Sequence, residues 1–334
     1  MQVQDDKDMT QEFKEDMIRR FWRFKGLRFP ADDPRFEEAR PRGLRPPVFH
    51  EAYAEGNLLI DPALTESERL RLIGMIPALK RHLWFRSMRS SQALTQTVFG
   101  SLAVTGRLGL LAGLETEDGE RPFQPNAHGA AHLALEVDVD CLGEPRPTSK
   151  DVAYRGLNPV TVECKLMEES IGLCSRPRLF QNDFRYCDGS YTRQRGRQER
   201  CSLTGIGVRY WPLVPRLFRI DAGIDHSICP LHRNYQLVRN LLATCLSPSG
   251  KILAGARVVL LHDERNPAFR PGGDGWRAYQ QVRSMLIEPR MLQRTSWQRL
   301  AQLLRSEDRT TWLAEALDAK YGFLGSACGT GGGH

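Results

Sequence analysis

Between Thr148 and Glu169 the chain reads TSKDVAYRGLNPVTVECKLMEE, and within it Asp151, Glu163 and Lys165 have the types and spacing for hydrolytic chemistry on a phosphate ester. Mg²⁺ or Mn²⁺ takes hard oxygen ligands and keeps several waters, so two carboxylates plus a phosphate oxygen make a sufficient site. A metal held there lowers the pKa of a bound water and neutralises charge building on the phosphate. An ammonium group two residues along the same strand face can orient that water or steady the anionic transition state. Asp151 and Glu163 are the candidate ligands and Lys165 the candidate cation.

These three need a scaffold, and the flanking residues predict one. Val152-Ala153-Tyr154 and Val160-Thr161-Val162 lie on either side of Gly156-Leu157-Asn158-Pro159, which reads as a β-hairpin. If the turn centres on Leu157 and Asn158, Asp151 faces Glu163 or Cys164. Glu163 and Lys165 then share a face and Cys164 points away. Upstream, His132 to Asp140 alternates as a strand that sets Leu135, Val137 and Val139 on one face and Glu136, Asp138 and Asp140 on the other. Ser90-Ser91-Gln92-Ala93-Leu94 opens a helical run to about Leu111. Tyr235 to Leu242 reads as another helix and Ala256 to His262 as a further strand. The class is α/β. The chain holds three other acid-x-Lys triplets, at Lys7, Lys14 and Lys320, but none of them follows an acid-bearing strand. Lysine is scarce, eight against thirty-nine arginines, which makes one on an apolar strand less accidental. The competing reading of the trio is a surface cross-strand ion pair worth under ~1 kcal/mol.

The spacing and the order of elements resemble the PD-(D/E)XK superfamily of restriction-endonuclease-like nucleases. Asp151 stands as the first acid and Glu163-Cys164-Lys165 as the (D/E)XK element, with Lys150 where the family has proline. The resemblance runs from about Ser90 to Asp263. It implies an αβββαβ core around a mixed central sheet, a third acid upstream of the hairpin, for which Glu136 is the choice, and polar residues on the core helices near the scissile phosphate, for which Gln92 and Gln236 are the candidates. The expected division is an N-terminal extension over residues 1–60, a core over 61–265 with an insertion over 174–229, a helical region over 266–325 and a tail over 326–334. The Thr65-Glu66-Ser67-Glu68 capping box opens a helix expected to reach about Leu83. Two or three amphipathic helices from Trp276 to Tyr321 are expected to pack on the core or form a dimer face.

A 334-residue chain with 41% hydrophobic residues can bury a large core, and its net charge of +7 with pI near 9.1 suits a polyanionic partner. The insertion is rich in arginine, with Phe180, Phe184, Tyr186, Tyr191, Tyr210 and Trp211 interleaved. Guanidinium forks bind phosphate and rings stack on unpaired bases, so a nucleic-acid groove is expected here, led by Arg193, Arg195 and Arg197. The same insertion carries Cys174, Cys187, Cys201 and Cys229. Cys229-Pro230-Leu231-His232 has ligand-pair spacing, and no secretory signal or membrane run is recognisable, so a cytoplasmic location with reduced thiols is expected, favouring metal over disulfide. Cys187, Cys201, Cys229 and His232 form the expected Zn²⁺ set, with Cys174 as substitute for His232 and an iron–sulfur cluster or unrelated thiols as alternatives. Cys141, Cys164, Cys245 and Cys328 read as core or incidental. The partner implied is DNA, with RNA, a homodimer and partner proteins of a defence system left open. The function expected is metal-dependent cleavage of DNA in restriction, defence or repair. The competing readings are a catalytically silent nucleic-acid-binding module and a structural subunit of a nucleoprotein assembly.

Overall fold

The computed structural model describes residues 2–38, 45–194 and 198–325, with side chains from residue 8 onward. β-branched runs bounded by turn residues give five strands: β1 (His132–Val139), β2 (Thr148–Arg155), β3 (Pro159–Cys164), β4 (Arg257–His262) and β5 (Leu292–Ser296). They form one sheet in the order β1-β2-β3-β4-β5. The first three are antiparallel neighbours, whereas β4 and β5 join in parallel, so the sheet is mixed. The hairpin turn falls where the sequence places it, with Arg155 opposite Pro159 and Val152 opposite Val162. Gly156 is required there, because a Cβ would sit 2.0 Å from the carbonyl oxygen of Gln124.

The helices among the described residues are α1 (Gln2–Arg28), α2 (Glu66–Gly74), α3 (Ser91–Thr95), α4 (Ser101–Val104), α5 (Tyr210–Leu217), α6 (Tyr235–Cys245), α7 (Asp274–Met285), α8 (Trp297–Arg305) and α9 (Asp308–Tyr321). A wide π turn over Gln96–Gly100 joins α3 to α4. The sheet separates two apolar layers. On one side Val152, Val162, Cys164 and Leu261 pack with Val98, Phe99, Leu300 and Leu317. On the other, Val258 and Leu260 meet Leu237 and Leu241 of α6, with Val214 and Val282 behind them. Leu241 and Leu300 are fully buried, and truncating either to alanine costs about 2–5 kcal/mol.

Four local departures from the sequence reading have physical causes. The capping box at Thr65 and Glu68 forms, but α2 ends at Gly74, because Pro77 disfavours helical backbone at Ile76. The N-terminal extension begins with a long helix the sequence reading did not place: α1 buries Met17, Phe21 and Phe24 in the first layer, and Phe21 meets Tyr321 edge-on at 5.8 Å. The C-terminal region includes β5 beside its helices, and α8 and α9 bury Leu300, Leu304, Leu313 and Leu317 against the sheet. Finally, β1 does not alternate throughout. Glu136 has φ of 48°, and this turn inverts the pleat, so Leu135 enters the first layer and Val139 the second.

Candidate active site

Where β3 ends, several elements hold one stretch of backbone. The Lys165 amide donates to the Leu261 carbonyl at 2.8 Å, continuing the β3–β4 pairing. From the first layer the Trp297 indole N–H donates to the Lys165 carbonyl at 2.9 Å. Asn266 Nδ2 donates to the carbonyls of Leu166 and Glu168 at 3.2 and 2.9 Å. The segment carrying Lys165 is therefore fixed before its side chain makes any contact.

The side chains converge above it. Extending the β2–β3 register of Val152 with Val162 sets Asp151 opposite Glu163. Asp151 Oδ2 accepts from the Cys164 amide at 2.7 Å, and Lys165 Nζ lies 2.8 Å from Glu163 Oε1. Lys165 Nζ also donates to Gln236 Oε1 at 3.0 Å, and Asn240 Nδ2 donates to Glu163 Oε2 at 2.6 Å. Gln236 and Asn240 are four apart on α6 and so share its sheet-facing stripe. Gly172 makes room for this contact: it holds φ of 110°, and a Cβ there would lie 2.6 Å from Gln236 Oε1.

Glu136 is the residue with the left-handed backbone, a conformation costing about 1–3 kcal/mol in a non-glycine residue. The turn aims its carboxylate at α3. Gln92 Nε2 donates to Oε1 at 2.7 Å and the Ser149 hydroxyl to Oε2, while Lys80 Nζ donates to the Glu136 carbonyl at 2.9 Å. Asp138 is exposed and paired with Lys80. Asp140 is exposed as well.

Electrostatics separate the roles. Burial first, and then Glu163, push the Asp151 carboxyl well above the ordinary carboxylate range, against the pull of Lys165 and with a further push from Glu136. Burial opposes charge on Lys165, but Glu163, Glu168 and Asp151 outweigh it and hold the ammonium above the usual lysine range. Lys165 is thus a standing cation and unsuited to be a proton acceptor near neutrality. Two carboxylates that repel across a hairpin suit a divalent cation, whose charge would reverse that repulsion. Among the described residues no three His, Cys, Asp or Glu side chains form a ready-made metal cage, so a cation here would rely on Asp151 and Glu163 together with substrate oxygen and water. Burial, and next Asp151, hold the Cys164 thiol far above its ordinary range, and its side chain lies in the first apolar layer.

The trio, Glu136, Gln92 and Gln236 therefore come together. The sequence reading misses Asn240, Glu168, Ser91 and His82. Glu168 accepts from the Leu166 and Met167 amides at 2.6 and 2.9 Å and from the Ser91 hydroxyl at 2.8 Å. Burial holds His82 below its usual pKa, opposed by Glu136 and Glu168. Asn240 is discoverable from its spacing to Gln236. Glu168 has no such signal. A cleft of about 600 Å³ opens beside Lys165, lined by Lys14, His82, Trp84, Arg89 and Glu168 among others, and the Arg89 guanidinium lies 5.9 Å from the Trp84 ring centre.

The insertion differs from expectation. Tyr191, Tyr210 and Trp211 are core residues and not stacking platforms, with Tyr191 and Trp211 stacked on each other at 3.4 Å. Phe180 and Phe184 are exposed. Arg185 pairs with Asp183 and Arg200 with Asp225, which engages part of the arginine charge internally. Arg193 is exposed, while Arg195 and Arg197 lie outside the described residues, as does Cys328. Cys187, Cys201, Cys229, His232 and Cys174 all line one small pocket.

No helix among the described residues is long and apolar enough to cross a membrane. A family model described as Restriction Endonuclease associating with ARP matches residues 32–322. No curated protein and no solved structure matches the chain.

Proposed function

The chain belongs to the family described as Restriction Endonuclease associating with ARP, and from that premise we propose that it is a PD-(D/E)XK nuclease that hydrolyses DNA phosphodiesters with a divalent metal. One observation carries the reading: Asp151, Glu163 and Lys165 converge at the end of one hairpin with Gln236 and Asn240 fastened over them.

Asp151 and Glu163 are the residues that would hold Mg²⁺ or Mn²⁺. Such an ion supplies Lewis acidity toward a phosphoryl oxygen and acidifies water bound to it. Hydrolysis adds water across a P–O bond, and negative charge gathers on the phosphoryl oxygens as it proceeds. Lys165, held cationic by its acidic neighbours, stabilises that charge and orients the attacking water. Gln236 and Asn240 fix the Lys165 and Glu163 rotamers, which spares the transition state the cost of ordering them. Glu136 adds a third carboxylate beside the pair. DNA would approach along the cleft between Lys14, Arg89 and Lys165, with Trp84 and its overlying guanidinium against the sugar-phosphate chain. The paired acids support the nuclease reading over a silent binding module, because two buried carboxylates repel an anion that a binding module would have to hold.

Closed circular and linear DNA, each incubated with and without Mg²⁺, test this directly. Wild type should cut circles only with metal, and Asp151→Ala and Lys165→Ala should each abolish cutting while retaining the wild-type circular dichroism spectrum. Full activity in folded Lys165→Ala would overturn the mechanism, and metal-independent cutting would overturn the site.

A further inference from the structure

The cysteines of the insertion come from four separate turns of chain, yet Cys174, Cys187, Cys201 and Cys229 line a single void of about 20 Å³. That void suits one ion and is too small for an organic ligand. None of the four is in a disulfide. Cys174 and Cys229 are within electrostatic reach of each other and of Cys187 and Cys201.

One of these turns directs a backbone N–H at sulfur. The sulfur of Cys187 accepts the Gly189 amide at 3.4 Å, two residues on. A neutral thiol is a weak acceptor, so an N–H directed at sulfur suits a thiolate that a bound cation would create; without one, burial pushes the Cys174 and Cys229 thiols up. The turns are also tied to one another. The Cys174 amide donates to the His232 carbonyl at 2.9 Å, and the Cys229 amide to the Gly189 carbonyl at 2.8 Å. Tyr191 and His226 exchange two backbone bonds beside them, at 2.8 and 3.0 Å.

We infer that Cys174, Cys187, Cys201 and Cys229 bind one structural zinc ion as a four-thiolate site, with His232 packed alongside and outside the ligand set. Four thiols release four protons and form four Zn–S bonds, with no change of oxidation state. Arg176 on the pocket wall offsets part of the resulting double negative charge. As placed, no three of these side chains form a cage, so loading draws the sulfurs inward to about 2.3 Å from the metal. The inference goes beyond the nuclease reading and does not depend on it.

The full chain, expressed in zinc-supplemented medium and desalted without chelator, should carry about one zinc per chain by elemental analysis. Cys174→Ser and Cys229→Ser should lose the zinc, and His232→Asn should keep it. Reconstitution with Co²⁺ should give the visible bands of tetrahedral thiolate cobalt. Because the serine variants could fail to fold, the wild type supplies a second measurement: a mercurial thiol reagent, added with a chromophoric zinc chelator, should release one zinc as four thiols react. Protein with neither zinc nor cobalt bands, iron in place of zinc, two disulfides among the four cysteines, or zinc retained in folded Cys174→Ser and lost in His232→Asn would each overturn the assignment.

Discussion

Replacing Asp151 with asparagine should destroy activity and yet stabilise the metal-free protein. Residues directly opposed across a hairpin have Cβ atoms about 4.5–5.5 Å apart. At roughly 5 Å and an effective dielectric near 20, two carboxylates repel by about 3 kcal/mol. Lys165, 2.8 Å from Glu163, returns part of that, leaving a net penalty of about 1–2 kcal/mol for an ionised Asp151. Asparagine keeps the oxygen that accepts the Cys164 amide, and its NH₂ can donate to Glu163. In a chain of this size the gain corresponds to a rise in Tm of about 1–3 °C. The sign follows from the raised pKa. Folded Asp151 holds its proton more tightly than the unfolded chain does, so this group's stabilisation is present below the unfolded value of about 3.9 and is lost as pH rises through the folded value. The advantage of the variant should therefore be larger at pH 8 than at pH 4. Thermal melts in chelator at both pH values measure it. Adding Mg²⁺ should raise the wild-type Tm, more so at pH 8, and leave the variant nearly unchanged. A variant that melts below wild type in chelator, or gains equally from Mg²⁺, would refute the repelling pair.

Gln236→Leu should lower single-turnover cleavage about tenfold with DNA affinity unchanged, since one hydrogen bond to a charged group is worth about 1.5 kcal/mol and Lys165 keeps its Glu163 contact. Gly172→Ala should reproduce that loss of rate and also lower Tm, because alanine meets both the positive φ and Gln236; a neutral result in melts and cleavage would argue against the clamp. Replacing Arg193, Arg195 and Arg197 together with alanine should flatten the salt dependence of DNA binding by about one unit of slope for each phosphate no longer neutralised. If the slope is unchanged there and falls in Lys14→Ala with Arg89→Ala, the affinity resides in the cleft beside Lys165.

The hairpin and its chemistry are legible because a turn tetrad between two β-branched runs fixes register, and register fixes which residues face each other. The sequence pattern places Asp151 within one residue of its partner. It fails at Glu136, where strict alternation is broken by a single positive φ that reverses the pleat. It misses β5 because Leu-Gln-Arg-Thr-Ser has one apolar side chain, and its burial comes from neighbours distant in sequence. Tyr191, Tyr210 and Trp211 are misread for the same reason: composition cannot distinguish an aromatic ring that faces solvent from one that holds an insertion together. Lys14 belongs to a triplet with no strand before it, and tertiary structure alone brings it to the edge of the cleft.

The bond from the Cys174 amide to the His232 carbonyl closes the insertion at its base, a short way after Lys165 and just before Gln236. The second half of the insertion packs into the second layer through Val214 and pairs Phe218 with Leu286, so the closed base and α6 on the sheet together set the distance between the lysine and its clamp. Exposed chain around Phe180 and Phe184 can then lengthen, shorten or be exchanged at an entropic cost that rises only logarithmically, about 0.6 kcal/mol per doubling. Divergence in what the protein grips can accumulate there while the reacting groups remain in place.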